Sequence, residues 1–108
     1  MCAAFKMINS SELKKKIDEN NDFVLIDVRN NYECLSGHIQ GAINIPLDSI
    51  ISNPELEGIK KDDVLVLYCR SGMRSAAASE KLVNAGYINV YSAGGIVNWP
   101  YPLSTKTV

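Results

Sequence analysis

The sequence predicts an α/β domain built on a central, mainly parallel β-sheet that is flanked by helices. Two apolar runs, 23–27 and 64–68, are rich in strand-forming residues, which is typical of strands buried on both faces of a parallel sheet. Segments that favour helices lie between and after these runs. Strands that alternate with helices favour this fold class.

A capping box marks the start of the first predicted helix. Asn9 stands three residues before Glu12, and Leu13 and Ile17 then recur at helical spacing. The polar segment 20–22 is expected to end this helix. The other predicted elements, in chain order, are a helix within 29–36, a strand at 42–46, a helix at 47–51, a helix at 75–85 that Gly86 ends, a strand at 89–91, and a short helix after 94–95 that ends near 99–100.

Length and composition indicate one domain. With 108 residues, 46% of them hydrophobic, we expect a single domain over 1–108, with a core at about 8–102 and an irregular tail at 103–108. The formal net charge of −1 argues against a nucleic-acid partner, because domains that wrap nucleic acid are usually strongly basic. No apolar run approaches the ~18 residues of a membrane span, and the N-terminus lacks the pattern of a secretory signal. We therefore expect a cytoplasmic protein without a membrane partner.

The cysteine pattern argues against a metal site. The three cysteines, Cys2, Cys34 and Cys69, show no CxxC spacing, and His38 is the single histidine. We expect no bound metal. In a reducing compartment, Cys69 is the candidate for a reactive thiol, because it begins a polar loop that contains a glycine.

The segment 68–75 lies between a predicted strand and a predicted helix, where ligands bind in open α/β sheets. A loop that curls around Cys69 can direct backbone N–H groups and the positive end of the helix dipole at the sulfur, while Arg70 and Arg74 add two cations. These effects stabilise the thiolate and predict a lowered pKa. Gly72 permits the turn that such a loop needs. The alternative is that Cys69 is a buried thiol at a strand end and that the arginines are surface charges.

Four segments carry a resemblance to a known family. They are 26–29 (Ile-Asp-Val-Arg), 37–46 (Gly-His-Ile-Gln-Gly-Ala-Ile-Asn-Ile-Pro), 68–75 (Tyr-Cys-Arg-Ser-Gly-Met-Arg-Ser) and 94–99 (Gly-Gly-Ile-Val-Asn-Trp). In their order and separations they resemble the rhodanese family, over roughly residues 8 to 102. The resemblance implies a compact α/β fold and a persulfide enzyme without metal or organic cofactor, in which Cys69 is the catalytic nucleophile.

The resemblance also implies roles for other residues. Asp27 and Arg29 would hold the active-site loop and its surroundings, with direct contact to substrate as the alternative. Apart from the resemblance, the four-residue spacing places Glu33 within reach of Arg29. The residues whose backbone would bind the outer sulfur of the persulfide are Arg70, Ser71, Gly72, Met73 and Arg74.

The remaining motif residues are more consistent with structural roles. His38 resembles a hydrogen-bonded residue of a packed turn, 94–95 a backbone turn that can also border the cleft, and Trp99 a core anchor. Cys34 departs from the family pattern, which usually has an aromatic or other bulky residue there. It is interpreted as a small buried apolar residue, with a resolving thiol for a Cys69 persulfide as the alternative.

The implied reaction moves a sulfane sulfur from a small donor, thiosulfate or a persulfide, to cyanide or a thiol, including the thiol of a sulfur-accepting protein. The loop from Cys69 to Arg74 has the spacing C-x4-R, as in sulfurtransferases. The related dual-specificity phosphatases have C-x5-R, so phosphatase or arsenate reductase activity is one alternative. A non-catalytic binding or regulatory module is another, although such modules usually lack the cysteine.

Overall fold

A single parallel sheet organises the protein. The computed structural model describes residues 5–19 and 22–105, and within them five strands pair in the order β1-β5-β4-β2-β3. The elements are β1 Lys6–Met7, α1 Ser10–Asp18, β2 Val24–Asp27, α2 Asn31–Ser36, β3 Ile43–Asn44, α3 Leu47–Ser52, β4 Val64–Cys69, α4 Met73–Asn84, β5 Asn89–Gly95 and a 3₁₀ helix Ile96–Asn98. Every pairing between these strands is parallel, so the predicted fold class is confirmed.

The central strand β4 supplies side chains to both apolar layers of the domain. Leu65 and Leu67 pack on one face with buried residues of α3 and α4, while Val66 and Tyr68 pack on the other face with α1. All four side chains are almost fully buried. Burial of one such side chain stabilises the fold by about 1.5–3 kcal/mol, so both layers hold β4 and the loop that follows it in place.

The predicted capping box is confirmed. The Asn9 side chain accepts a hydrogen bond from the Glu12 backbone N–H at 2.8 Å, and the Glu12 side chain accepts one from the Asn9 N–H at 3.0 Å. Helix α1 ends at Asp18, and most of the segment 20–22 that was expected to end it lies outside the described residues. Gly86, with φ +107°, follows α4 as predicted.

Several element boundaries differ from the prediction. The strand expected at 42–46 is the shorter β3, Ile43–Asn44. Helix α4 begins at Met73, two residues before the expected start, so the loop after Cys69 is shorter than expected. Strand β5 continues to Gly95, because its last residues still pair with the end of β4. The sequence does not predict β1, since its two residues are exposed and carry no recognisable strand pattern.

The segment after the 3₁₀ helix stays attached to the domain. Ser104 forms an isolated antiparallel bridge with His38, with N–O distances of 2.8 and 2.7 Å. The boundaries of 8–102 for the core and 103–108 for the tail stay a prediction. None of the helices in the described part of the chain is long and apolar enough to cross a membrane.

Candidate active site

Cys69 is the last residue of the central strand β4, and its residue surface is 0% exposed. The pairing between β4 and β5 shifts register after Leu67, which places Gly95 beside Cys69. Only residues 70–72 separate the strand from α4. The structure therefore presents the strand–loop–helix arrangement that the sequence predicted, with the cysteine at the carboxyl end of the sheet.

The loop folds back over the sulfur atom. The backbone N–H of Gly72 donates a hydrogen bond to Cys69 Sγ at 2.9 Å, and the Ser75 hydroxyl oxygen lies 3.8 Å from the same sulfur. Gly72 has φ +106°, a left-handed conformation that side chains with a Cβ resist. This turn directs the amide inward, so glycine is needed at position 72.

Strand β5 forms one wall of the loop. A Cβ added to Gly95 would lie 2.7 Å from Ser71 Cα, which is closer than real Cβ atoms approach. Two residues after this glycine, the backbone N–H of Val97 donates to the carbonyl oxygen of Arg70 at 3.2 Å. Gly95 thus permits the close approach that fixes the back of the loop, and the Gly94–Gly95 segment borders the cysteine loop.

The surroundings of Cys69 favour its thiolate. Burial raises the pKa of the Cys69 thiol, but the backbone N–H groups of Ser75, Gly72 and Ser71 and the Ser75 hydroxyl together lower it below the usual value for cysteine. These hydrogen bonds, which include the first turn of α4, make the largest favourable contributions. The sequence analysis assigned part of this effect to Arg70 and Arg74, whereas in the structure the lowered pKa follows from hydrogen bonds with residues 71, 72 and 75.

The side chains of the loop point in different directions. Arg70 and Ser71 are exposed, and Met73 is 81% exposed. Arg74 instead forms an ion pair with Glu33 of α2, with 3.1 Å between Nη2 and Oε2. The loop therefore directs a backbone amide at the sulfur, while the guanidinium of Arg74 is engaged with Glu33.

Two buried hydroxyls lie beneath the loop. Ser75 Oγ lies 2.9 Å from Ser92 Oγ and donates to the carbonyl oxygen of Gly72 at 3.0 Å. Both serines are almost fully buried. The sequence analysis did not assign them to the site. The sequence gives no signal for Ser92, because it lies just beyond the strand predicted at 89–91.

The family model of the rhodanese-like domain matches residues 9–100. The chain belongs to the rhodanese-like domain family. A putative sulfurtransferase of Bacillus subtilis, YtwF, is 38% identical over 95 residues, which cover 87% of this chain and 89% of that protein. The crystal structure of a rhodanese-related protein from Thermoplasma volcanium superposes with a TM-score of 0.80 at 30% identity, and the match covers 94% of this chain and 100% of that one.

Other relatives are longer. The tRNA uridine(34) hydroxylase of Bdellovibrio bacteriovorus is 34% identical over 96 residues. The match covers 85% of this chain but 27% of that protein, so the chain spans about a quarter of the length of this relative. The likeness to YtwF, in contrast, covers nearly all of both proteins and supports the resemblance to single-domain sulfurtransferases.

Asp27 and Arg29 form a buried pair at the end of β2 in this rhodanese-like domain. Arg29 Nη2 lies 2.7 Å from Asp27 Oδ2 and also donates to the carbonyl oxygen of Gly37 at 2.6 Å. The Arg29 residue surface is 7% exposed. These bonds hold the turn around α2 together and favour a supporting role. The expected contact between Arg29 and Glu33 is absent from the described ion pairs, because Glu33 pairs with Arg74.

Cys34 and His38 both lie in the packed region after α2. Burial raises the pKa of the Cys34 thiol to about 11, and the Asp27 carboxylate adds to this rise. Cys34 is therefore a protonated, buried thiol at neutral pH, which favours the apolar interpretation over that of a resolving thiol. His38 Nδ1 lies 3.0 Å from the Cys34 carbonyl oxygen, as suits a packed turn. Cys2 lies outside the described residues.

Metal ligands do not gather near this region. Among residues 5–19 and 22–105, no group of three or more His, Cys, Asp or Glu side chains is placed to hold a metal ion.

Proposed function

We propose that this rhodanese-like domain is a sulfurtransferase that carries a transferable sulfur as a persulfide on Cys69. The donor is an anion such as thiosulfate, and the acceptor is cyanide or a thiol, including that of a sulfur-accepting protein. The observation that carries the proposal is the 2.9 Å hydrogen bond from the Gly72 N–H to Cys69 Sγ. It belongs to a set of donors that lowers the pKa of this thiol despite its burial.

The first step transfers sulfur to the enzyme. The Cys69 thiolate attacks the outer sulfur of thiosulfate, a new S–S bond forms, and the original S–S bond breaks as sulfite leaves with the bonding electron pair. The product is an anionic persulfide on Cys69. Because the lowered pKa of Cys69 favours the thiolate, this step is proposed to need no general base.

The second step returns the enzyme to its starting state. Cyanide or a thiolate attacks the outer sulfur of the persulfide, and the Cys69 thiolate leaves with the electron pair of the S–S bond. The cycle is covalent catalysis that splits one transfer into two. It involves no net oxidation or reduction of the protein and requires no cofactor.

The backbone of residues 70–74 stabilises the charged outer sulfur in this proposal. Amides held fixed by the loop stabilise an anion more than mobile water does, because they need no reorganisation during the reaction. Arg70, Ser71, Gly72, Met73 and Arg74 thus contribute mainly through their main chain. The exposed guanidinium of Arg70 adds long-range attraction for an anionic donor.

The size of the loop supports sulfur transfer over phosphate chemistry. Only four residues lie between Cys69 and Arg74, and the close packing of Gly95 on Ser71 leaves this short loop no room to move on that side. A phosphoryl group presents three equatorial oxygens and needs a wider ring of donors. The lowered pKa of Cys69 supports catalysis over a binding module. The hydroxylase activity of longer relatives is not carried over, because the chain matches 27% of such a protein.

The test measures thiocyanate formation from thiosulfate and cyanide beside phosphate release from an aryl phosphate. We expect thiocyanate formation that Cys69→Ser abolishes and Cys34→Ser preserves, with negligible phosphate release. Phosphate release that depends on Cys69, without thiocyanate, would contradict the proposal. Absence of both activities in a folded wild-type protein would favour the non-catalytic binding module instead.

A further inference from the structure

Glu33 brings a carboxylate from α2 to the active-site loop. Its Oε2 lies 3.1 Å from Arg74 Nη2, and Arg74 Nη1 donates to Oε1 at 3.4 Å. The side chains of Arg74 and Glu33 are only 31% and 22% exposed. The two residues are 41 positions apart, so this contact is made by the fold and not by local sequence.

Glu33 and Arg74 are close to each other, but their ion pair lacks ideal bidentate geometry. Glu33 Oε2 is shielded from solvent and makes no well-aligned hydrogen bond within the described residues, although Arg74 is close to it. A bidentate guanidinium–carboxylate pair with ideal geometry would resist an incoming anion. Here an anionic donor can compete for Arg74, but it must do so against Glu33.

Arg29 and Arg70 differ from Arg74 in their partners. Arg29 is buried and bonded to Asp27 and the Gly37 carbonyl. Arg70 is exposed and forms no ion pair within residues 5–19 and 22–105. Within the described part of the loop, a dianion that approaches Cys69 therefore meets the unpaired cation Arg70 and the cation Arg74, which the Glu33 carboxylate neutralises.

We propose that Glu33 is a positioning residue that sets the selectivity of the site for its sulfur donor. Glu33 pairs with Arg74, and this pairing weakens the attraction of the site for dianionic donors relative to donors of low net charge. The inference rests on the sulfur transfer proposed above and deepens it. The kcat/KM for thiosulfate, which carries two negative charges, is therefore lower than it would be if Arg74 were unpaired. A persulfide of low net charge is unaffected, so wild-type selectivity shifts toward donors of that class.

The test compares kcat/KM for thiosulfate and for cysteamine persulfide, whose ammonium group offsets its anionic sulfur. Glu33→Gln should raise kcat/KM for thiosulfate about three- to fivefold, mainly through a lower KM, since a partly exposed ion pair contributes up to about 1 kcal/mol. The value for cysteamine persulfide should stay within about twofold. Glu80→Gln, on the exposed face of α4, makes the same change in net charge and should alter neither value.

A double variant tests whether Glu33 acts through Arg74. In the Arg74→Gln background, Glu33→Gln should no longer raise kcat/KM for thiosulfate, because coupled residues are not additive. The gain in the single variant should also shrink at high ionic strength, where exposed charges are screened. A merely structural role for Glu33 would lower both donor activities together and would produce no gain.

Two results would overturn the proposal. One is an unchanged or lower ratio of kcat/KM for thiosulfate to kcat/KM for cysteamine persulfide in folded Glu33→Gln. The other is a gain in kcat/KM for thiosulfate that persists when Arg74 is replaced. If Glu33→Gln does not fold, Glu33→Asp serves, since its shorter side chain weakens the same contact and should raise the ratio in the same direction. These outcomes differ from failure of the proposed function, in which wild-type protein forms no thiocyanate from either donor.

Discussion

Gly95→Ala is a single added methyl group that the structure places directly against the active-site loop. The new Cβ would lie 2.7 Å from Ser71 Cα and 2.8 Å from the Ser71 carbonyl carbon, both main-chain atoms that no rotamer change can move. Gly95 itself has φ −113°, an ordinary value, so backbone strain at this position plays no part. The loop must therefore shift away from β5.

The expected loss of stability in Gly95→Ala follows from overpacking. Forcing an extra methyl group into a packed site typically costs about 1–3 kcal/mol, which in a domain of this size lowers Tm by roughly 5–15 °C. The same shift moves the Ser71 and Gly72 amides away from Cys69 Sγ, so the pKa of Cys69 should rise toward its ordinary value. Sulfur transfer should fall with it, because less thiolate is present at neutral pH.

The assay pairs thermal unfolding with iodoacetamide alkylation of Cys69 across pH, read at the peptide level. Gly58→Ala is the matched control: Gly58 has φ +77° and no heavy atom within 4 Å of an added Cβ, so alanine there strains the backbone without touching the site. It should lower Tm by a similar amount and leave the alkylation midpoint of Cys69 unchanged. A Gly95→Ala protein with the Tm, midpoint and activity of wild type would refute the packing argument.

Three further outcomes follow from the buried groups around the site. Ser75→Ala removes the hydroxyl beside the sulfur, which helps to lower the pKa of Cys69. The alkylation midpoint of Cys69 should therefore move to higher pH, and an unchanged midpoint would leave the amides as the sole cause. In the folded wild type, Cys69 should be alkylated from a lower pH than free cysteine and Cys34 should resist until denaturant is added, since its pKa is raised to about 11; equal rates would contradict the opposite pKa shifts of the two thiols. Asp27→Asn leaves the Arg29 guanidinium buried without its counter-charge and should lower the free energy of unfolding in a urea titration by about 3–5 kcal/mol, whereas a loss under 1 kcal/mol would show that water replaces the carboxylate.

The sequence predicts the centre of the fold well, because local signals and tertiary packing agree there. The apolar run of β4 leads directly into Cys69, and the Asn9–Glu12 capping box forms as expected. In both places a few neighbouring residues determine the structure, so pattern and spacing are enough to locate it.

Sequence reasoning is weaker wherever distant segments meet. The extension of β5 through Gly95 depends on contact with the cysteine loop, and glycine carries little strand propensity of its own. The pairing of Arg74 with Glu33 joins residues 41 positions apart and leaves no local pattern. The role of Ser92 beneath the loop is equally invisible, since a lone serine in a strand has many possible partners.

The most direct test of the account is the intact mass of the protein after incubation with thiosulfate. We predict a single added sulfur, about 32 Da, that a reductant removes and that maps to the peptide containing Cys69. Cys34→Ser should gain the same mass, and Cys69→Ser should gain none. Sulfur that still adds to Cys69→Ser, or that depends on Cys34 instead, would contradict the assignment of the sulfur carrier.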